Sequence, residues 1–161
     1  IAMNNDLSQE LVIKLIDSKL TLSIAESCTG GLASKVITDV SGSSKIFMGS
    51  VVAYNEVIKN KFLDIPAHML NEFGPVSREV AELMAINIRK KFKTNIGVSI
   101  SGISGPNSDG YKKKVGLLYL AISTDSGDSE TREFYESNMT RCEHRKFAVR
   151  QLVRMIKEKV F

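Results

Sequence analysis

Apolar positions along the chain switch between two periods. From 7 to 20, Leu11, Val12, Leu15, Ile16 and Leu20 recur at helical spacing, which predicts an amphipathic helix capped by Asp6 or Ser8. Residues 21–25 alternate and predict a strand, and 32–38 return to a helical pattern that ends near Asp39. Loop composition over 40–45 leads into 46–54, an apolar run with small interruptions that predicts a buried strand. A short helix over 55–62 gathers Val57, Ile58, Phe62 and Leu63 on one side and breaks at Ile65-Pro66. Another over 67–73 ends at Gly74-Pro75. Ser77 then caps a long helix to about Phe92, with Val80, Leu83, Met84, Ile88 and Phe92 as its stripe. Strands follow over 96–101, 115–124 and 131–136, the last at an edge, with a turn at 125–128. The final helix, about 140–160, turns Phe147, Ala148, Leu152, Val153 and Ile156 inward.

Helices alternate with strands through two-thirds of the chain, and a hairpin follows. The order predicts an α/β protein: one domain over 3–161, built as a three-layer α/β/α sandwich with a mixed sheet. Strand order is not readable from the pattern. Ile1-Ala2, ahead of Met3, read as residues added outside the natural chain.

Composition narrows the classes. A chain of 161 residues buries roughly two-thirds of its unfolded surface, enough for a core without staples. Net charge is +4, Lys112–Lys114 form a local run, and there is no Trp. Without a basic stripe interleaved with aromatics, nucleic acid is not an expected partner. Cys28 and Cys142 are too far apart for a disulfide framework or zinc spacing and read as free thiols of a reducing compartment. His68 and His144 lack partners at metal-ligand spacing. No apolar run reaches the roughly 18 residues of a membrane span, and no signal peptide is evident, so a cytoplasmic location with no membrane partner is expected.

Candidate chemistry collects in loops. Ala25-Glu26-Ser27-Cys28-Thr29-Gly30-Gly31 sits between a strand and a helix. Glycines permit close backbone approach, and the amides of a first helical turn favour an anion. With the hydroxyls of Ser27 and Thr29, this reads as a phosphate or carboxylate pocket; the alternative is an ordinary strand-to-helix turn with Thr29 as N-cap. No Walker loop or paired-histidine zinc motif occurs, and residues 102–105 fall one residue short of a nucleophile elbow. What remains is that first loop, a second with Gly42, Ser43 and Ser44, and a third with Ser101, Gly102, Ser104 and Gly105. The first and third share one sheet edge if their strands are parallel.

Taken together, AESCTGG, GSSKIF with a following Y-x4-K, GPVS opening a helix, SGISGP and a late R-x3-R resemble the CinA C-terminal domain family, from about Leu7 to Lys157. The resemblance implies a compact α/β/α unit that self-associates into a homo-oligomer. It implies no metal and no cofactor. It implies an amidohydrolase whose partner is a small nucleotide, converting nicotinamide mononucleotide to nicotinic acid mononucleotide and ammonia. It further implies Ser44 as nucleophile, with Ser43 as the neighbouring alternative, and Lys59 as base, returning toward Ser44 from its short helix; Lys45 is the rival. A lysine serves as base only if its pKa falls from about 10.4. Tyr54 relays a proton or orients Lys59. Ser101, with Gly102, meets the carbonyl oxygen or the ribose. Ser27, Thr29, Gly30 and Gly31 cradle phosphate or ribose, and Arg141 and Arg145 pair with phosphate. Glu26 orients the loop, and Cys28 is a small buried neighbour. The chain departs from the family at Tyr54-Asn55-Glu56-Val57, over 107–114 and at Met139-Thr140-Arg141. The altered 107–114 loop motivates a second expectation, an inactive module that senses a nucleotide or phosphate.

Overall fold

The computed structural model describes residues 5–161, so the reading of Ile1-Ala2 lies outside the described residues. In chain order the elements are α1 (Asn5–Ser18), β1 (Leu22–Glu26), α2 (Leu32–Thr38), a 3-10 turn (Ser43–Lys45), β2 (Phe47–Val52), α3 (Glu56–Leu63), α4 (Ala67–Phe73), α5 (Arg78–Phe92), β3 (Ile96–Gly102), β4 (Leu117–Thr124), β5 (Ser129–Tyr135) and α6 (Arg141–Val160). Capping sets several of these boundaries. Asn55 accepts from the Val57 amide to open α3, and Ser77 accepts from Val80 to open α5. Thr140 and Glu143 form a reciprocal capping box at the start of α6. The strand expected over 46–54 closes earlier, at Val52, where the Ala53 amide bonds the Glu26 carbonyl (2.7 Å) and the chain turns toward α3.

The five strands lie in the order β2-β1-β3-β4-β5. β1 runs parallel to β2 and β3, while β4 is antiparallel to both β3 and β5. This is the expected single α/β domain with a mixed sheet between two helical layers. Leu22, Ile24, Val98, Ile100, Leu120 and Ile122 face α1, α2 and α6 in the largest core cluster. On the opposite face Ala25 packs with Leu63, Leu70, Val80, Met84 and Ile88 from α3, α4 and α5. Each fully buried aliphatic side chain contributes about 1.5–3 kcal/mol.

The α5 face of β3 is built from small residues. A Cβ at Gly97 would lie 2.4 Å from the Ala85 carbonyl oxygen, so only glycine lets α5 rest this close to the strand. Ser99 donates to the Ala81 carbonyl at 2.6 Å across the same contact.

The path reverses at β1. The link to β2 crosses one face through α2, and the link from β2 to β3 crosses the other through α3, α4 and α5. Such a reversal opens a crevice at the carboxyl ends of the strands. No helix among the described residues is long and apolar enough to cross a membrane.

Candidate active site

The loop after β1 is organised by its own carboxylate. Glu26 is fully buried, and it accepts from the Thr29 hydroxyl (2.7 Å), the amides of Gly31, Ala33 and Ser34, and the Ser34 hydroxyl. These amides are the ones a helix start leaves unpaired. The anion at this helix start is therefore an internal one, which corrects the expectation of a phosphate pocket on these amides. It also corrects the expected cap: Gly31, at φ 103°, occupies the N-cap position, and Thr29 spends its hydroxyl on Glu26. Gly30, at φ 58°, turns the chain beneath Arg145. The expected role of Glu26 as loop organiser matches this geometry.

Ser27 is the next residue, and its hydroxyl points the other way. Lys59 Nζ lies 2.9 Å from Ser27 Oγ and donates to the Ala53 carbonyl, also at 2.9 Å. Lys59 is only 1 % exposed. Burial pushes its pKa from an ordinary 10.5 down to about 8, against the pull of Cys28 and Glu56. An amine with that affinity holds a useful neutral fraction near neutral pH and can take a proton from an adjacent hydroxyl. Cys28 does not compete as a nucleophile, because burial pushes its thiol up to about 11 and keeps it protonated.

A cavity of about 320 Å³ opens on this pair. Ser27, Cys28 and Lys59 form one wall, and Pro75, Val76 and residues 102–105 form another. Tyr54, Asn55, Glu56, Arg141 and the 107–111 loop surround the mouth. Its size suits a small polar ligand. By contrast, a crevice between Leu7, Val36, Val149 and Val153 holds about 20 Å³, room for little more than one water.

The mouth is tied together by polar contacts. Arg141 donates to the Gly105 carbonyl (2.6 Å) and to the Tyr54 hydroxyl (2.7 Å). Tyr111 donates to Glu56 at 2.6 Å, which fastens the 107–114 loop to the start of α3. Tyr54 is 58 % exposed and reaches Arg141, whereas Lys59 has Ser27 and Ala53 as partners.

Other expected residues lie elsewhere. Ser44 belongs to the exposed part of the 3-10 turn before β2, while Lys59 follows β2. The six-residue strand, about 20 Å long, stands between them. The expected approach of Lys59 to Ser44 does not occur; neither Ser43 nor Ser44 lines the cavity. Ser101 is fully buried below the cavity and donates to the Pro75 carbonyl at 3.2 Å, while Gly102 lines the wall. Arg145 spends Nε and Nη2 on the carbonyls of Cys28 (3.0 Å) and Thr29 (2.9 Å), clamping the loop from behind. Thr29, Gly30 and Gly31 lie outside the cavity lining. The Ser27–Lys59 pairing had one readable trace, since Lys59 stands four residues before the core residue Leu63 and so shares its inward helical face. Ser104, from the third hydroxyl-bearing loop of the sequence, also lines the cavity, as do Glu56 and Tyr111, which no spacing in the sequence marks.

Comparison with known proteins agrees along nearly the whole chain. The family described as CinA C-terminal domain matches residues 4–160. A CinA-like protein of Prochlorococcus marinus subsp. pastoris is 39 % identical over 147 residues, covering 91 % of this chain and 34 % of that protein. A CinA-like protein of Cytophaga hutchinsonii is 47 % identical over 106 residues, covering 66 % of this chain and 25 % of that protein. The chain thus spans about a third or less of the length of the curated relatives it matches. Among solved structures, the competence/damage inducible protein CihA from Agrobacterium tumefaciens superposes with TM-score 0.94 at 30 % identity, covering 98 % of this chain and 96 % of that one. A competence or damage-inducible protein from Enterobacter asburiae gives TM-score 0.94 at 25 % identity, covering both chains fully at 100 %.

Proposed function

Because the chain belongs to the CinA C-terminal domain family, we propose that it is an amidohydrolase that converts nicotinamide mononucleotide to nicotinic acid mononucleotide and ammonia, with Ser27 as nucleophile and Lys59 as its base. One observation carries this reading: a nearly fully buried lysine within 2.9 Å of a serine hydroxyl on the wall of a cavity.

The steps follow from the chemistry of the pair. Neutral Lys59 takes the Ser27 proton as Oγ bonds to the carboxamide carbon. The carbonyl oxygen carries the negative charge of the tetrahedral species. Lys59 then gives its proton to the departing nitrogen, the C–N bond breaks, and ammonia leaves an acyl ester on Ser27. Water, deprotonated by Lys59, attacks that ester; the acid departs and the Ser27 hydroxyl is restored. The pyridinium charge of the substrate lies near Lys59 in this arrangement and further disfavours its protonated form. Arg141, at the mouth, is the cation that supports phosphate recognition in this reading.

Ammonia release from nicotinamide mononucleotide by the purified protein tests the proposal. Release by the parent protein, lost in Ser27→Ala and in Lys59→Ala, is the expected result. No release from the folded parent, with retained nucleotide binding, overturns it in favour of a sensor module.

A further inference from the structure

A second serine lines the cavity, and the polarity of its hydroxyl can be deduced. Ser104, 4 % exposed, lines the wall that also contains Gly102 and Gly105. Its Oγ lies 2.8 Å from His144 Nδ1, and His144 Nε2 lies 3.1 Å from the Gly116 carbonyl oxygen. A carbonyl only accepts, so the ring hydrogen sits on Nε2. In a neutral imidazole Nδ1 is then bare and must accept. The Ser104 hydroxyl therefore donates its single hydrogen to His144, and its oxygen is left able only to accept.

The surroundings support this polarity. His144 is almost fully buried, and burial lowers its pKa, which favours the neutral ring over the opposing influence of Glu136 and the Gly116 carbonyl. A serine on a pocket wall ordinarily rotates to suit either a donor or an acceptor. Here the relay from Gly116 through His144 removes that choice.

We propose that Ser104, held in polarity by His144, is a specificity-determining acceptor for the carboxamide N–H of the substrate. This rests on the amidase reading above. A primary amide offers two N–H donors to such a wall. The product carboxylate offers none and meets the lone pairs of Ser104 with its own. One fixed oxygen thus favours substrate over product and amide over ester. His144 acts through Ser104 and is a positioning residue.

The test compares kcat/KM for nicotinamide mononucleotide with kcat/KM for the methyl ester of nicotinic acid mononucleotide. The parent, Ser104→Ala, His144→Leu and His144→Gln are measured side by side. A glutamine can accept from Ser104 through its oxygen and donate to Gly116 through its nitrogen, so it preserves the polarity. The amide-to-ester ratio is expected to fall about tenfold in Ser104→Ala, the size of one lost hydrogen bond. It should fall several-fold in His144→Leu and remain near the parent value in His144→Gln. A general loss of packing lowers both substrates together and leaves the ratio unchanged. An unchanged ratio in Ser104→Ala, with ammonia release intact, overturns the role of Ser104 while the amidase reading stands. Equal ratios in His144→Gln and His144→Leu overturn the relay. No ammonia release from the parent removes the amidase reading, and this proposal with it.

Discussion

β1 and β2 lie side by side and parallel, and each has a serine-bearing turn with left-handed glycine at one end. At the carboxyl end of β1, Ser27 is buried against Lys59. At the amino end of β2, the 3-10 turn leaves Ser44 in solvent, and Gly42 packs toward Ile16 of α1. Residue types and local geometry are similar; what differs is the end of the sheet. At the carboxyl end, α2 and α3 depart over opposite faces, and the second crossover carries a lysine back over the strand end. At the amino end a turn only delivers the chain into the strand. A hydroxyl gains chemistry where the topology brings it a partner with shifted proton affinity, and parallel strands offer that at one edge.

The largest effect that could break this contrast comes from the proposed pair, Ser27 and Lys59. Ser27→Ala or Lys59→Ala should lower ammonia release by about a thousandfold or more, while Ser44→Ala stays within twofold. A loss in Ser44→Ala comparable to that of Ser27→Ala would move the chemistry to the other end of the sheet. Removing the internal anion is next. Glu26→Ala leaves buried amides without their acceptor and should cost about 3 kcal/mol in urea unfolding, with Glu26→Gln costing less.

The buried amine makes an opposite prediction. Lys59 is about 8 in the folded protein and 10.5 when exposed, so its burial is destabilising wherever it is charged. Between pH 8 and 10.5 the unfolded chain binds more protons, and the stability of the parent rises with pH. Lys59→Met should therefore be more stable than the parent at pH 7, by up to about 3 kcal/mol, with the advantage shrinking from pH 8 to 10.5. In activity the same group gives a smaller, graded signal. kcat/KM should climb about tenfold per pH unit below 8 and level off above it, since the base must be neutral.

Legibility in the sequence followed the range of the forces involved. The stripe and cap of α5 were readable because Ser77 and the apolar positions act within a few residues. The sandwich was readable from the alternation of elements. Strand order was not, since it depends on pairings between distant segments, and with it went the end of the sheet at which Ser44 falls. Thr29 looked like a cap because a hydroxyl before a helix usually is one. A carboxylate three residues earlier reached the same amides first, and seven residues of local sequence cannot distinguish an internal anion from a bound one. Ser27 stood in the recognised loop, but Lys59 reaches it from 32 residues away.

Arg145 touches carbonyls 116 and 117 residues behind it in the chain. During synthesis, the side chain that clamps the loop bearing Ser27 follows that loop by more than a hundred residues. At about 5–20 residues per second, that is a wait of several seconds or more. Over that interval the nascent chain can pair β1, β2 and β3 and dock α5, but the loop bearing Ser27 still lacks its clamp. The order of manufacture thus makes the candidate site one of the last parts of this domain to be completed.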